Sequence, residues 1–169
     1  MDEQFINLSP ENLSEQHLCC IIRSKKPHPG VEAKRQWLAQ RLREGHVFRK
    51  LDAKATVFIE YAPLETAWVP VAGGNFLYIY CLWVLGDYKG KGYGRALMLD
   101  LIQTALLHGA DRMTLEVREH NQAAQALYKG LGFETAGRRK KYYSDTGEDA
   151  FIMWNDHLAA QVAPPQFHI

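Results

Sequence analysis

The chain has only three cysteines, Cys19, Cys20 and Cys81, too few and too poorly spaced for a disulfide framework. Cys19 and Cys20 sit in the apolar-rich stretch Leu18 to Ile22, where thiols act as small hydrophobes. No pair of cysteines at short spacing meets a second pair of ligands, so a zinc site is not expected and no metal is assigned. No apolar run approaches the roughly 20 residues that a membrane helix needs, so no membrane association is expected. Met1 to Pro10 carries Asp2 and Glu3 and lacks the basic start and apolar stretch of a secretory signal, which points to a cytoplasmic setting. Net charge is also scarce: 20 Lys and Arg face 19 Asp and Glu, for a formal +1, so bulk attraction to nucleic acid is not implied. Internal repeats and low-complexity tracts are missing too.

What remains is ordinary for a globular protein: 169 residues, 47% hydrophobic and 23% charged, enough for a sizeable core. Charge is unevenly spread. From Arg23 to Lys50 nine Lys or Arg stand against two acids, Glu32 and Glu44. Such a run is either a solvated helix face or a docking surface for an acidic partner. It carries no nucleic-acid motif.

Ser9-Pro10 offers a hydroxyl cap and a proline at the first helical position, predicting a helix from there to about Ile22. Lys25 to Gly30 holds two prolines and a glycine and reads as a loop. A second helix is predicted over about Val31 to Glu44, ended by Gly45. Strands follow at Val47 to Leu51, Thr56 to Tyr61 and Thr66 to Val69. Phe76 to Leu85 is an unbroken aromatic and β-branched run, as in a strand buried on both faces. The pattern then changes. Leu97, Leu101 and Ala105 recur at four-residue steps in a helix closing near His108-Gly109. Arg112 to Arg118 alternates as a strand, with Met113, Leu115 and Val117 on one face and Thr114, Glu116 and Arg118 on the other. A helix over about Asn121 to Gly130 precedes two strands, about Phe133 to Tyr143 and Glu148 to Trp154. The expectation is one α/β (mixed α+β) domain over residues 1–158 and a loosely ordered tail, 159–169.

Lys89-Gly90-Lys91-Gly92-Tyr93-Gly94 follows the buried strand and opens a helix. Glycines at alternate positions let the backbone turn tightly and let a ligand approach it. The first amides of the helix lack internal partners and can cradle a phosphate, and Lys89, Lys91 and Arg95 add positive charge. The spacing is neither that of a Walker loop nor that of a dinucleotide fingerprint. These residues alone point to a pyrophosphate-bearing ligand and leave its class open.

This stretch resembles the acetyl-CoA motif of the GNAT acetyltransferases, Gln/Arg-x-x-Gly-x-Gly/Ala, with Lys89 in place of the usual Gln or Arg. Lysine keeps the charge but loses the planar donor array. The resemblance implies a mostly antiparallel mixed sheet, splayed at the acetyl-CoA site and flanked by about four helices. It implies that acetyl-CoA contacts Lys89 to Arg95 and that the main chain around Trp83, Val84 and Leu85 pairs with its pantetheine arm.

Farther on, Thr114 to Arg118, Asn121, Ala126-Leu127-Tyr128, Leu131-Gly132-Phe133, Arg138-Arg139, Tyr142-Tyr143 and Glu148-Asp149-Ala150 resemble the ribosomal-protein alanine N-acetyltransferases, the RimI type. Acetyl transfer needs a neutral amine, and a carboxylate can take the proton directly or through water. The resemblance implies that role for Glu116; by its residue type alone it reads as an exposed or salt-bridged glutamate. Collapse of the tetrahedral intermediate releases a thiolate, which a nearby phenol can protonate. Tyr128 holds the position implied for that acid, and a core tyrosine is its other reading. Asn121 is a helix cap that, by the same resemblance, also touches the cofactor. Tyr142, Tyr143 and Glu148 are expected to shape the acceptor site; the two tyrosines read equally as an aromatic pair packing a hairpin.

The N-terminal half resembles a different, poorly characterised bacterial group of the same superfamily, through His17 to Cys20, Lys25-Lys26, Val57 to Tyr61 and Ala67 to Pro70. The acceptor therefore stays open between a protein N-terminus and a small-molecule amine. A noncatalytic acetyl-CoA-binding module is the reading from another class, and the chain is expected to be a monomer or homodimer.

Overall fold

The structure, a computed structural model, describes residues 4–18, 28–53 and 57–161. Seven strands, β1 (Phe5–Asn7), β2 (Val47–Leu51), β3 (Val57–Pro63), β4 (Phe76–Val84), β5 (Arg112–Arg118), β6 (Glu134–Tyr143) and β7 (Glu148–Asn155), form one sheet. Their order is β1-β2-β3-β4-β5-β7-β6. Only the central β4–β5 pair is parallel; every other neighbour is antiparallel. The described residues include three α-helices: α1 (Pro29–Arg41), α2 (Tyr93–Leu107) and α3 (Gln122–Gly130).

Strand alternation divides the core between the two faces of the sheet. Val57 and Ile59 of β3 join Ile79, Met113 and Leu115 and pack against Leu97, Met98, Leu101 and Ile102 of α2. The intervening Phe58 turns to the other face, where it stacks on Phe48 at 4.6 Å and joins Leu38 of α1, Leu8, Leu13 and Leu18. Each such leucine contributes roughly 1.5–3 kcal/mol by leaving water.

Three expectations are corrected here. Residues 10–16 form hydrogen-bonded turns, not the start of a helix. The Asn12 side chain accepts the Ser9 N–H at 2.9 Å and donates to the Asn7 carbonyl at 3.1 Å, and isolated bonds from Leu13 N–H to Ser9 and from Gln16 N–H to Asn12 do not join into a continuous ladder. The rest of that stretch, with Cys19 and Cys20, and the Lys25–Pro27 loop, lies outside the described residues. Thr66 to Val69 is not a strand: Leu64–Thr66 makes a 3₁₀ turn, and Thr66 Oγ1 bonds back to the Pro63 and Glu44 carbonyls. The flanking Pro63 and Pro70 supply no N–H to a ladder. β4 is buried only at Tyr78 and Ile79, because its outer half leaves the core to border a cavity. Leu158, the last residue of the expected domain, is buried at the start of a 3₁₀ turn, Leu158–Gln161, and residues 162–169 of the expected tail lie outside the described residues.

Four described members of the basic run are engaged within the fold. Lys34 pairs with Glu60, Arg41 with Glu44 and Arg49 with Asp100, while Lys50 is buried and bonds Gln16. Arg23, Lys25 and Lys26 of the same run lie outside the described residues.

Candidate active site

β4 and β5 pair from Phe76↔Arg112 to Ile79↔Leu115 and no farther. Yet β4 keeps its register with β3 out to Val84↔Val57, and β5 keeps its register with β7 out to Arg118↔Ala150. The sheet therefore splits between its two central strands. A bulge marks the point: Glu60 faces Cys81 and Tyr61 faces Ile79, so Tyr80 has no opposite number on β3. Such an insertion sharpens the local twist and frees the next stretch of strand edge.

The split opens into a cavity of about 550 Å³ between β4, the N-terminus of α2 and α3. Of the residues expected to hold the cofactor, Trp83, Val84, Lys89, Gly90, Gly92, Tyr93, Gly94, Arg95 and Asn121 line it. Leu85 and Lys91 do not; the Lys91 ammonium lies 5.8 Å from the Tyr88 ring. Gly90 and Gly92 have φ of 74° and 84°, backbone that favours glycine. Gly92 caps α2 without a side-chain bond, and no acid occupies the first turn. The opening amides of α2 thus carry the positive end of the helix dipole toward the cavity, beside Lys89 and Arg95. Asn121 caps α3 by accepting the Ala124 N–H at 3.1 Å, and borders the cavity as well. A second cavity of about 460 Å³, near Tyr61, Phe76 and His108, contains none of the expected site residues.

Tyr128, 7% exposed, lines the cavity with its ring against Phe133. Burial, then Cys81 and Tyr143, push its hydroxyl far above the usual phenol range, so it holds its proton. Glu116 projects from β5 on the opposite face to Leu115 and Val117, 5% exposed. Arg139 Nε donates to its Oε1 at 2.7 Å and the Tyr78 hydroxyl to its Oε2 at 2.9 Å. Burial and then the Glu116 carboxylate raise Tyr78, and the same causes push Tyr142 up to about 12. Both oxygens of Glu116 are thus engaged.

Tyr142 reaches this group because β6 is irregular. Between Arg139↔Ala150 and Tyr143↔Glu148 the register slips, Lys141 takes φ 52°, and Asp149 accepts the Lys141 N–H at 2.8 Å. Tyr143 lies under the Arg118 guanidinium at 4.0 Å. Glu148 goes elsewhere: it bonds the His120 amide and ring at 2.8 and 3.0 Å and pairs with Arg118. These partners tie it to the corner after β5 rather than to Glu116.

Sequence reasoning missed Tyr78 as a partner of Glu116, and took Arg139 only as part of a motif. Both contacts cross between strands, 38 and 23 residues away in sequence, with no local signature. It missed a second buried carboxylate as well. Glu60 takes Lys34 Nζ at 2.5 Å and His46 Nε2 at 2.8 Å on one oxygen, beneath Trp37 and Tyr80. Among the described residues no three His, Cys, Asp or Glu stand ready to hold a metal, and no helix is long and apolar enough to cross a membrane.

Residues 11–133 match the Acetyltransferase (GNAT) family. An uncharacterized N-acetyltransferase of Bacillus subtilis (strain 168), YoaP, is 41% identical over 107 residues, covering 63% of this chain and 43% of that protein. The ribosomal protein bS18-alanine N-acetyltransferase of Escherichia coli (strain K12) is 48% identical over 69 residues, covering 40% of this chain and 47% of that protein. The chain thus matches less than half the length of either relative. The crystal structure of the ribosomal-protein-S18-alanine N-acetyltransferase from Escherichia coli superposes with a TM-score of 0.66 at 24% identity, covering 99% of both chains. That likeness establishes the fold.

Proposed function

The chain belongs to the Acetyltransferase (GNAT) family, and on that premise we propose that it transfers an acetyl group from acetyl-CoA to a primary amine, by direct attack within a ternary complex. The unit carrying this activity spans residues 1–158, and a cytoplasmic setting suits it. One observation carries the reading: the nearly buried Tyr128 lines the same cavity as the glycine turn. The donor set fits the cofactor. Left-handed glycines, uncapped amides, Lys89 and Arg95 suit a diphosphate, and the freed edge of β4 suits an amide-bearing arm.

Acetyl-CoA supplies an activated thioester, whose attack by an amine gives a tetrahedral oxyanion and then a thiolate. The amides of Tyr93 to Arg95, with Lys89, hold the diphosphate. The β4 main chain from Leu82 to Val84 aligns the arm. Glu116 receives the ammonium proton of the acceptor, directly or through a water. Tyr128 donates its proton to the departing sulfur and regains one from solvent, each step worth about 10²–10⁴-fold. Tyr142 and Tyr143 border the acceptor.

The acceptor we favour is a protein N-terminal α-amine, supported by the match to the Escherichia coli alanine N-acetyltransferase. A screen of alanine-starting peptides against polyamines, read by release of free thiol, tests this. Turnover with the peptides alone supports the N-terminal reading; turnover with the polyamines alone replaces it with a small-molecule acetyltransferase. Stoichiometric acetyl-CoA binding without turnover on any amine leaves a noncatalytic binding module.

A further inference from the structure

The stretch Ala67 to Pro70, between β3 and β4, lies outside the lining of the cavity, yet it is fastened beside Glu116. Its loop is closed at the base, where Glu65 Oε1 accepts the Asn75 N–H at 2.5 Å. Two further bonds hold it along its length. The Tyr80 hydroxyl accepts the Trp68 N–H at 2.7 Å, and Arg139 Nη2 donates to the Pro70 carbonyl at 3.4 Å. Arg139 also holds Glu116 through its Nε, so one guanidinium joins the loop to the carboxylate. Tyr80 makes the second link: its ring meets that of Tyr78 edge-on at 5.1 Å, and Tyr78 donates to Glu116. Tyr80 is the unopposed residue of the β4 bulge and packs on the α1 face against Trp37 and His46. On this scaffold Trp68 stands 64% exposed, a large aromatic held in place in water. Arg41 covers one face of its indole at 4.8 Å, and Trp37 meets it edge-on at 6.3 Å. A ring fixed in this way has lost its freedom before any partner arrives, so a contact with it costs little further entropy.

We propose that the open face of Trp68 sets acceptor specificity, receiving a large apolar side chain at the second residue of a peptide whose N-terminal amine meets Glu116. This rests on the reading of Glu116 as the base and of the acceptor as a protein N-terminus. The surroundings select the occupant. The Trp68 indole already faces the Arg41 guanidinium, and Trp37 faces the Lys34 ammonium at 5.0 Å, so a further cation gains little there and meets like charge. An acidic side chain finds these cations already paired: Arg41 with Glu44, Lys34 with Glu60 and Arg139 with Glu116. An apolar side chain needs no charge and removes exposed indole from water. A second-residue side chain has the reach, since consecutive Cα atoms lie about 3.8 Å apart and a single guanidinium joins the loop to Glu116. The same cations disfavour a polyamine, whose second ammonium would lie among them.

The test measures kcat/KM of the full chain with acetyl-CoA and alanine-starting peptides that differ only at the second position, which is glycine, aspartate, lysine, leucine or phenylalanine, with a polyamine beside them. Leucine and phenylalanine should exceed the other three by about tenfold, carried by KM, the low end of what a hydrophobic contact discriminates. In Trp68→Ala, shown by calorimetry to bind acetyl-CoA, that preference should collapse, and Trp68→Phe should restore most of it. Wild-type turnover indifferent to the second residue, a preference for lysine or aspartate, or an unchanged preference in Trp68→Ala overturns the proposal and leaves the N-terminal acceptor in place. Turnover with the polyamine alone removes that acceptor, and the proposal with it, so the two failures give different results.

Discussion

Gly92→Ala and Gly94→Ala, two residues apart, should fail in different ways. Gly92 has φ 84°, and a Cβ built there meets nothing within 4 Å, so the cost of alanine is conformational rather than steric. A left-handed alanine costs roughly 1–2 kcal/mol. For a chain of this size that lowers Tm by roughly 2–8 °C. The strain is relieved by rotating the peptide planes that open α2. A misaimed amide forfeits a charge-assisted hydrogen bond of about 1.5–3 kcal/mol, or roughly 10–150-fold in acetyl-CoA affinity. Gly94 has ordinary helical backbone, and alanine favours a helix by about 1 kcal/mol. Its Cβ lands 3.4 Å from Leu127 and 3.7 Å from Val84, at the wall of the cavity. Gly94→Ala should therefore keep or raise Tm while weakening acetyl-CoA binding. Scanning fluorimetry with and without acetyl-CoA, together with calorimetry, reads both effects. A Gly92→Ala protein that binds acetyl-CoA like the wild type would refute the assignment of these amides to the diphosphate. Equal loss of Tm in both variants would refute the conformational argument.

Other outcomes follow from the site and its surroundings. Tyr128→Phe should slow transfer by about 10²–10⁴-fold in kcat with acetyl-CoA affinity nearly intact, as read by calorimetry beside steady-state rates; full activity removes Tyr128 from the acid role. Tyr78→Phe deletes one donor to Glu116, worth about 1.5 kcal/mol, and should lower kcat/KM by about tenfold while leaving acetyl-CoA binding unchanged. Glu116→Gln should lose most activity near neutral pH and recover as pH rises and the amine deprotonates unaided; a loss independent of pH means that Glu116 is not the base. Burial alone would raise the Glu60 carboxyl, but the hydrogen bond of His46 and the charge of Lys34 outweigh it and hold the group below its ordinary 4.5. The unfolded chain then takes the proton first as pH falls. The Glu60 contribution is full above about pH 4.5 and lost as pH drops through the folded value, so urea midpoints should fall less steeply with acid in Glu60→Gln than in the wild type.

Local pattern made much of this legible. β5 is found at Arg112–Arg118 because strict alternation of apolar and polar residues admits one register. α2 follows from four-residue apolar steps, the start of α3 from its Asn121 cap, and the glycine turn from residue type. What the sequence did not disclose was set by partners far along the chain. β1 is three residues long and exists by pairing with β2. The stretch from Pro10 to Gln16 makes turns where a helix was expected. The Tyr80 bulge and the slip at Lys141 place Cys81 and Tyr142, yet nothing in a linear pattern marks an unopposed residue. Glu116 could be singled out by resemblance, whereas its clamp by Tyr78 and Arg139 required the folded sheet.

The most direct measurement titrates acetyl-CoA and acetyl-pantetheine, which has the same thioester arm but no diphosphate, into the full chain by calorimetry. One acetyl-CoA per chain, with acetyl-pantetheine bound far more weakly, is the predicted result. Equal affinity for the two, or no acetyl-CoA binding at all, contradicts the claim that the turn from Lys89 to Arg95 grips the diphosphate.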